Sequence, residues 1–173
     1  PDDLAPQFDY IRKSVLAFNL PSVELINYEA DDLIATYTDK ILKEGAKVTI
    51  VSSDKDLMQL FKKNVRIYDP MKNKFISEED IQNKFGVDSS KVIDVQALAG
   101  DSSDNVPGVP GIGVKTAAEL INKYGNLEKL LKSANEIKQN KRRETLIENK
   151  DKALISKKLV TLEHNAPVNE GLN

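Results

Sequence analysis

The alternation of apolar and polar positions divides the first half of the chain into short elements. Leu4, Phe8, Ile11, Val15 and Leu16 recur at helical spacing and predict a helix over residues 1–20. Val23–Asn27 is a short β-prone stretch. A second stripe, Leu33, Ile34, Tyr37, Ile41 and Leu42, predicts a helix over Tyr28–Glu44, ended by Gly45. The run VTIV at Val48–Val51 reads as a buried strand, Asp54–Phe61 as a helical turn and Val65–Tyr68 as a further strand. Strand and helix alternating in this way predict an α/β fold with a partial, Rossmann-like parallel sheet. Three strands make a thin sheet, which hints that a strand is absent; without it the sheet is expected to expose an edge or an apolar core surface, a liability for association.

The second half reads as helical. Ser77–Phe85 has an acidic, capped start at Ser77, Glu79 and Asp80, and Val92–Leu98 is an apolar helical stretch. A segment dense in Gly, Pro, Ser and Asp follows, then a helix from Lys115 to Gly125. Shorter helices are expected over Asn126–Leu131 and Glu144–Leu162. The boundary falls near Asn105, dividing an α/β part, residues 1–104, from a small all-α part, residues 105–173.

Charge sharpens that division. The net charge of −2 conceals 13 basic against 19 acidic residues in 1–104 and 12 against 8 in 105–173. An acidic half joined to a basic half fits cation binding in one and polyanion binding in the other. The chain has no cysteine, which removes disulfides, thiolate zinc sites and cysteine nucleophiles and fits a reducing cytoplasm. The single histidine, His164, reads as a solvated surface residue, because zinc would need partners the sequence does not offer. No run approaches the ~20 apolar residues of a membrane span, and the first residues have no signal-peptide pattern.

Three acidic clusters sit at expected strand ends or helix starts: Glu29, Asp31 and Asp32; Asp54 and Asp56; Asp101 and Asp104. Any one alone reads as helix capping, since carboxylates interact well with helix N-termini. The first two follow strands, and the carboxyl ends of strands in an open α/β sheet face one crevice. Seven carboxylates gathered there repel unless cations neutralise them. Hard oxygen donors without Cys or clustered His favour Mg2+ or Mn2+ over zinc. Such a pocket suits two-metal phosphodiester hydrolysis, with ions about 3.5–4 Å apart.

The segment Val106-Pro-Gly-Val-Pro-Gly-Ile-Gly-Val-Lys-Thr-Ala-Ala precedes an amphipathic helix. Gly111 and Gly113 permit a tight turn and let backbone N–H groups approach a phosphate. The helix start, Lys115 and Thr116 add positive potential and a hydroxyl. Nothing here reads base identity, so binding would follow the backbone and shape of a duplex. A Walker A loop is not matched, because Gly111 and Gly113 are wrongly spaced and Val114 precedes the lysine. A plain Pro/Gly connector is the simpler reading of two glycines, but not of the whole PGIGVKTA string.

The ordered strings Tyr28-Glu-Ala-Asp-Asp, Ser52-Ser-Asp-Lys-Asp, Gly100-Asp-Ser-Ser-Asp-Asn and Val106-Pro-Gly-Val-Pro-Gly-Ile-Gly-Val-Lys-Thr-Ala resemble the 5′ nucleases. That group includes the exonuclease region of bacterial DNA polymerase I, phage 5′ nucleases and flap endonucleases. The resemblance covers nearly the whole chain. It implies a PIN-like α/β nuclease fold followed by a helix–three-turn–helix DNA-binding element, and removal of RNA primers and 5′ flaps in replication and repair. It implies that Glu29 and Asp31 hold a first metal and Asp54, Asp56 and Asp101 a second, with Asp31 near both. Asp32 and Asp104 would assist through water. Gly108, Gly111, Ile112, Gly113, Lys115 and Thr116 would grip the duplex, with K+ held by hairpin carbonyls. The partners implied are duplex DNA with a 5′ flap, nick or RNA primer, and a polymerase region or an N-terminal nuclease segment.

The sequence departs from the family at two places. The family's first strand, ending in a metal-binding aspartate, a second aspartate and the basic arch that follows would all precede Pro1. The basic stretch Lys138-Gln-Asn-Lys141-Arg142-Arg143 also lacks an expected Gly-Lys pair. The alternative is thus a DNA-binding remnant without cutting activity. A PIN-type ribonuclease would not explain the glycine hairpin, and a DxD phosphatase would explain only Asp54 and Asp56.

Overall fold

The computed structural model describes residues 3–168. A single 3-10 turn, Ala5–Gln7, leads into α1, Phe8–Ala17. Among the described residues the expected apolar stripe of α1 covers little: Phe8, Ile11 and Leu16 are exposed, Val15 is half-buried, and no residue of the helix is fully buried. The first two residues of the expected helix lie outside the described part.

Helix α2, Ala30–Lys43, begins at Glu29 in a capping box with Asp32 and ends before Gly45, whose φ of 80° lies where glycine is favoured. Strand β1 is Val48–Val51 and β2 is Val65–Asp69, running parallel in the register Val48 opposite Val65. The third strand is not Val23–Asn27. That segment forms no ladder, and its Val23 and Leu25 pack instead on a small cluster with Leu33, Tyr37, Ala166 and Val168. The third strand is β3, Lys74–Phe75, antiparallel to β2, so the sheet is mixed, in the order β1-β2-β3. A two-residue return after the Asp69 turn is too short to show alternation, which is why the sequence pattern hides it.

Strand β1 also differs from its expected burial. Only Ile50 is buried, and Val51 is 64% exposed. Its outer edge has no strand partner among the described residues. An open apolar groove of about 820 Å³ runs beside it, walled by β1, by Leu33, Ile34, Tyr37 and Ile41 of α2, and by Leu20 and Val23. The expected open edge is therefore present.

The other helices are α3 (Glu78–Phe85), α4 (Val92–Ala99), α5 (Val114–Tyr124), α6 (Leu127–Lys132), α7 (Asn140–Glu148) and α8 (Lys150–Val160). Ser77 caps α3 by accepting from Asp80 N, and Asn126 caps α6 by accepting from Lys129 N. The expected helix over Glu144–Leu162 is two helices broken at Asn149. Helix α4 is the hub: nearly all its residues are buried, and it packs against α5 and α8. One apolar core runs from Ala35 through Leu98 and Ile121 to Val160, without a break at Asn105. No helix among the described residues is long and apolar enough to cross a membrane.

Candidate metal and nucleic-acid site

The three acidic clusters reach one place by different routes. The capping box at the start of α2 presents Glu29 and Asp31. After β1, Ser52 Oγ accepts from Asp54 N at 3.0 Å, and Asp54 Oδ1 accepts from Asp56 N at 2.9 Å, folding the chain into the 3-10 turn Asp56–Leu60. Asp101 follows Gly100 at the end of α4 and is fixed by a two-way backbone pair with Val106, at 2.9 and 2.8 Å. Glu29, Asp31, Asp54, Asp56, Asp101 and Asp104 thereby line one cavity of about 340 Å³, closed on another side by Leu159, Val160 and Leu162.

Asp32, the seventh carboxylate, does not line this cavity. Its Oδ2 accepts from Glu29 N at 3.2 Å and its Oδ1 from Glu163 N at 2.8 Å. Both oxygens are engaged by backbone donors. Among the described residues no three carboxylates converge tightly enough to form a ready-made cation cage.

The electrostatics show how strained the gathering is. Burial first, and then the charges of Asp54, Asp56, Glu29 and Asp32, push the Asp31 carboxyl up to about 6. Asp56 is also raised, chiefly by burial, against a lowering hydrogen bond from Gln96. Asp101 goes the other way, to about 2, because Lys55 and then Ser103 donate to it. The Lys55 ammonium lies 2.6 Å from Asp101, 3.7 Å from Asp104 and 3.9 Å from Asp56, as an internal counter-ion.

Two members of the site carry no acidic signature. Lys55 sits inside the Asp-Lys-Asp string, where the sequence singles out only Asp54 and Asp56. Gln96 is buried on α4, donates through Nε2 to Asp56 Oδ1 at 2.5 Å, and lines the cavity. Its Oε1 is buried without a protein partner among the described residues. A lone amide in the apolar string Val92-Ile-Asp-Val-Gln-Ala-Leu-Ala was the available signal. Oxygen donors, an unpartnered buried acceptor and a carboxyl raised by burial and then by neighbouring charge together fit hard divalent cations with bound water.

The glycine segment spans the turn between α4 and α5. Gly111 has φ 74° with open space around it, and Gly113 is the N-cap of α5, with no side chain capping the helix start. Gly111, Gly113 and Lys115 are exposed, and Thr116 is half-buried. Gly108 and Ile112 are buried and anchor the turn from within; Gly108 N donates to Ser156 Oγ of α8 at 2.9 Å. Of the basic stretch, Lys138 and Lys141 are exposed, while Arg143 donates to Ile137 O and Asn140 Oδ1. His164 is not a free surface residue: its Nδ1 lies 2.7 Å from Asp39 Oδ2, and its side chain is 32% exposed.

Comparison with known proteins bears on the family and the fold. Residues 1–86 match the family described as 5′-3′ exonuclease, N-terminal resolvase-like domain, and residues 87–173 match 5′-3′ exonuclease, C-terminal SAM fold. DNA polymerase I of Rhizobium leguminosarum is 54% identical over all 173 residues, which are 17% of that protein. The 5′-3′ exonuclease of Aquifex aeolicus is 44% identical over 133 residues, 77% of this chain and 46% of that one. The chain thus spans about a fifth to a half of the length of these relatives. Among solved structures, the T5 5′-exonuclease with bound divalent zinc superposes with a TM-score of 0.83 at 25% identity, covering 94% of this chain and 61% of that one. The catalytic core of Rad2 in complex with DNA substrate shares the fold, with a TM-score of 0.58 at 20% identity over 96% of this chain and 58% of that one. The two family models together cover the chain, and the chain belongs to the 5′-3′ exonuclease family.

Proposed function

We propose that this chain supplies the carboxylate site and the duplex grip of a divalent-metal-dependent 5′ nuclease acting on DNA with a 5′ flap, nick or RNA primer. The observation that carries the reading is the meeting of six carboxylates from three separate segments around one cavity. Glu29 and Asp31 would hold one Mg2+ or Mn2+, and Asp54, Asp56 and Asp101 a second, with Asp31 beside both and Asp104 acting through water. When bound, the ions supply Lewis acidity toward the phosphodiester and lower the pKa of an attacking water. The chain's own part is placement: Gln96 orients Asp56, and the Ser52 and Asp54 turns fix the loop after β1. A cation reaching Asp101 must displace the Lys55 ammonium, which keeps that carboxylate compensated without metal.

Gly111, Gly113 and the uncapped start of α5 would receive backbone phosphates, with Lys115 adding charge and Thr116 a hydroxyl. Gly108 and Ile112 would serve by holding that turn in shape. Carbonyls of the same turn are the candidate K+ ligands. In this reading the acidic part, 1–104, carries the chemistry and the basic part, 105–173, the grip, in company with an N-terminal nuclease segment or a polymerase region.

The test is cleavage of an end-labelled 5′-flap duplex with Mg2+ or Mn2+, beside Asp54→Asn. Metal-dependent cutting abolished by the substitution supports the reading. Duplex binding without cutting under any metal supports instead the role of a non-catalytic DNA-binding segment.

A further inference from the structure

The end of α8 and the residues just after it touch both carboxylate-bearing walls of the cavity through three main-chain groups. Val160 O accepts from Gln59 Nε2 at 3.0 Å, and Leu162 N donates to Gln59 Oε1 at 3.3 Å. Gln59 lies on the 3-10 turn that carries Asp56. One residue further on, Glu163 N donates to Asp32 Oδ1 at 2.8 Å, next to Asp31 at the start of α2. Leu159, Val160 and Leu162 meanwhile form the apolar wall of the cavity.

We propose that Val160–Glu163 is a positioning strap that sets the spacing between Asp31 and Asp56, and that Asp32 and Gln59 are its anchor points. The inference rests on the metal-site reading above and gives Asp32 a role other than assisting a metal. Like charges on the two walls repel, so a divalent-ion site needs something to hold the walls at a fixed separation before the cation arrives. A strap built from main-chain groups does this without adding charge to the cavity.

The strap is itself held firmly. Beyond Glu163 the chain runs along α2, where Glu163 O accepts from Thr36 Oγ1, Thr36 Oγ1 accepts from Ala166 N, and Val168 O accepts from Lys40 Nζ. Before it, α8 is fixed by Lys157, whose ammonium lies 2.7 Å from both Asp94 and Glu128. Buried Ser156 of the same helix accepts from Gly108 N in the glycine turn. The strap therefore also joins the glycine turn to the carboxylates through one helix.

The experiment is a calorimetric Mn2+ titration of the full chain, unsubstituted and as Glu163→Pro, Glu163→Ala, Gln59→Leu and Lys40→Met, each first shown to melt cooperatively without metal. Glu163→Pro removes the N–H from which Asp32 accepts and leaves every cavity carboxylate unsubstituted. Gln59→Leu removes the other anchor. Each is expected to weaken Mn2+ binding about tenfold, the scale of losing a partner that orients a metal ligand. Glu163→Ala keeps the N–H and is expected to restore the affinity. Lys40→Met loosens the tail far from the cavity and is expected to leave the affinity unchanged.

Equal weakening by Lys40→Met and Glu163→Pro would mean that general tail stability is being read, and would overturn the strap. So would unweakened binding in both Glu163→Pro and Gln59→Leu. Failure of the unsubstituted chain to take up Mn2+ would overturn the metal-site reading and the strap together.

Discussion

Gly108 packs its backbone directly against Gly100: a Cβ on Gly108 would stand 2.5 Å from Gly100 N. Gly108 also has a φ of 59°, and its N–H is held by Ser156. The contact lies beside Asp101, so one close approach fixes the glycine turn relative to a cavity carboxylate. Gly108→Ala should cost on the order of 2–3 kcal/mol, combining a left-handed backbone with a backbone clash. Gly111→Ala, with similar φ and open space, should cost only about 1 kcal/mol. Urea unfolding of the two variants checks the order; an equal loss would mean the Gly100 contact carries no energy.

The raised Asp31 carboxyl has a consequence for stability. Between about pH 4 and pH 6 the metal-free folded chain retains a proton that the unfolded chain has released. Stability must then fall as pH rises through that window, and raised Asp56 acts in the same direction. Asp101, held at about 2, gives stability that is lost only as pH falls through the acid range below the window. The urea midpoint in chelator should drop between about pH 4 and 6, Asp31→Asn should flatten the drop, and Mn2+ should reverse it. A midpoint that rises across the window, or the same slope in Asp31→Asn, contradicts the assignment.

Exposed Lys115 stands in the first turn of α5, beside the uncapped helix start. Lys115→Ala should weaken duplex binding equally for unrelated sequences and reduce the slope of log affinity against log salt by about one. Fluorescence anisotropy over a salt series measures both. A sequence-dependent loss would point to base contacts instead.

The outer edge of β1 predicts association. A strand edge with no partner among the described residues, beside an apolar groove, is a template for pairing. Sedimentation should show self-association rising with concentration, and Val51→Lys, at an exposed edge position, should reduce it. A monomer at every concentration would show that this edge is already protected.

Much of this site was legible because its signals are local. Capping at Glu29 and Ser77, the amphipathic stripe of α2, and each acidic string depend on residues within a turn of one another. What the sequence pattern missed depends on distant partners. The tail along α2 brings Glu163 to Asp32, 131 residues apart, and Gln96 reaches Asp56 across 40. His164 reads as solvated until Asp39 is seen beside it. Among the described residues Val23–Asn27 has the composition of a strand but no ladder partner, and the apolar stripe of α1 buries only Val15, and that in part. Periodicity reports which faces seek burial; it cannot report whether a partner is there.

The central claim, that these carboxylates form a two-ion site, is tested most directly by diffraction from crystals soaked in Mn2+, using its anomalous signal. The account predicts two peaks in the cavity, one contacted by Glu29 and Asp31 and one by Asp54, Asp56 and Asp101, with Lys55 displaced from Asp101 and Asp32 still bonded to Glu163 N. No peak in the cavity, or ions held only elsewhere on the surface, would contradict it.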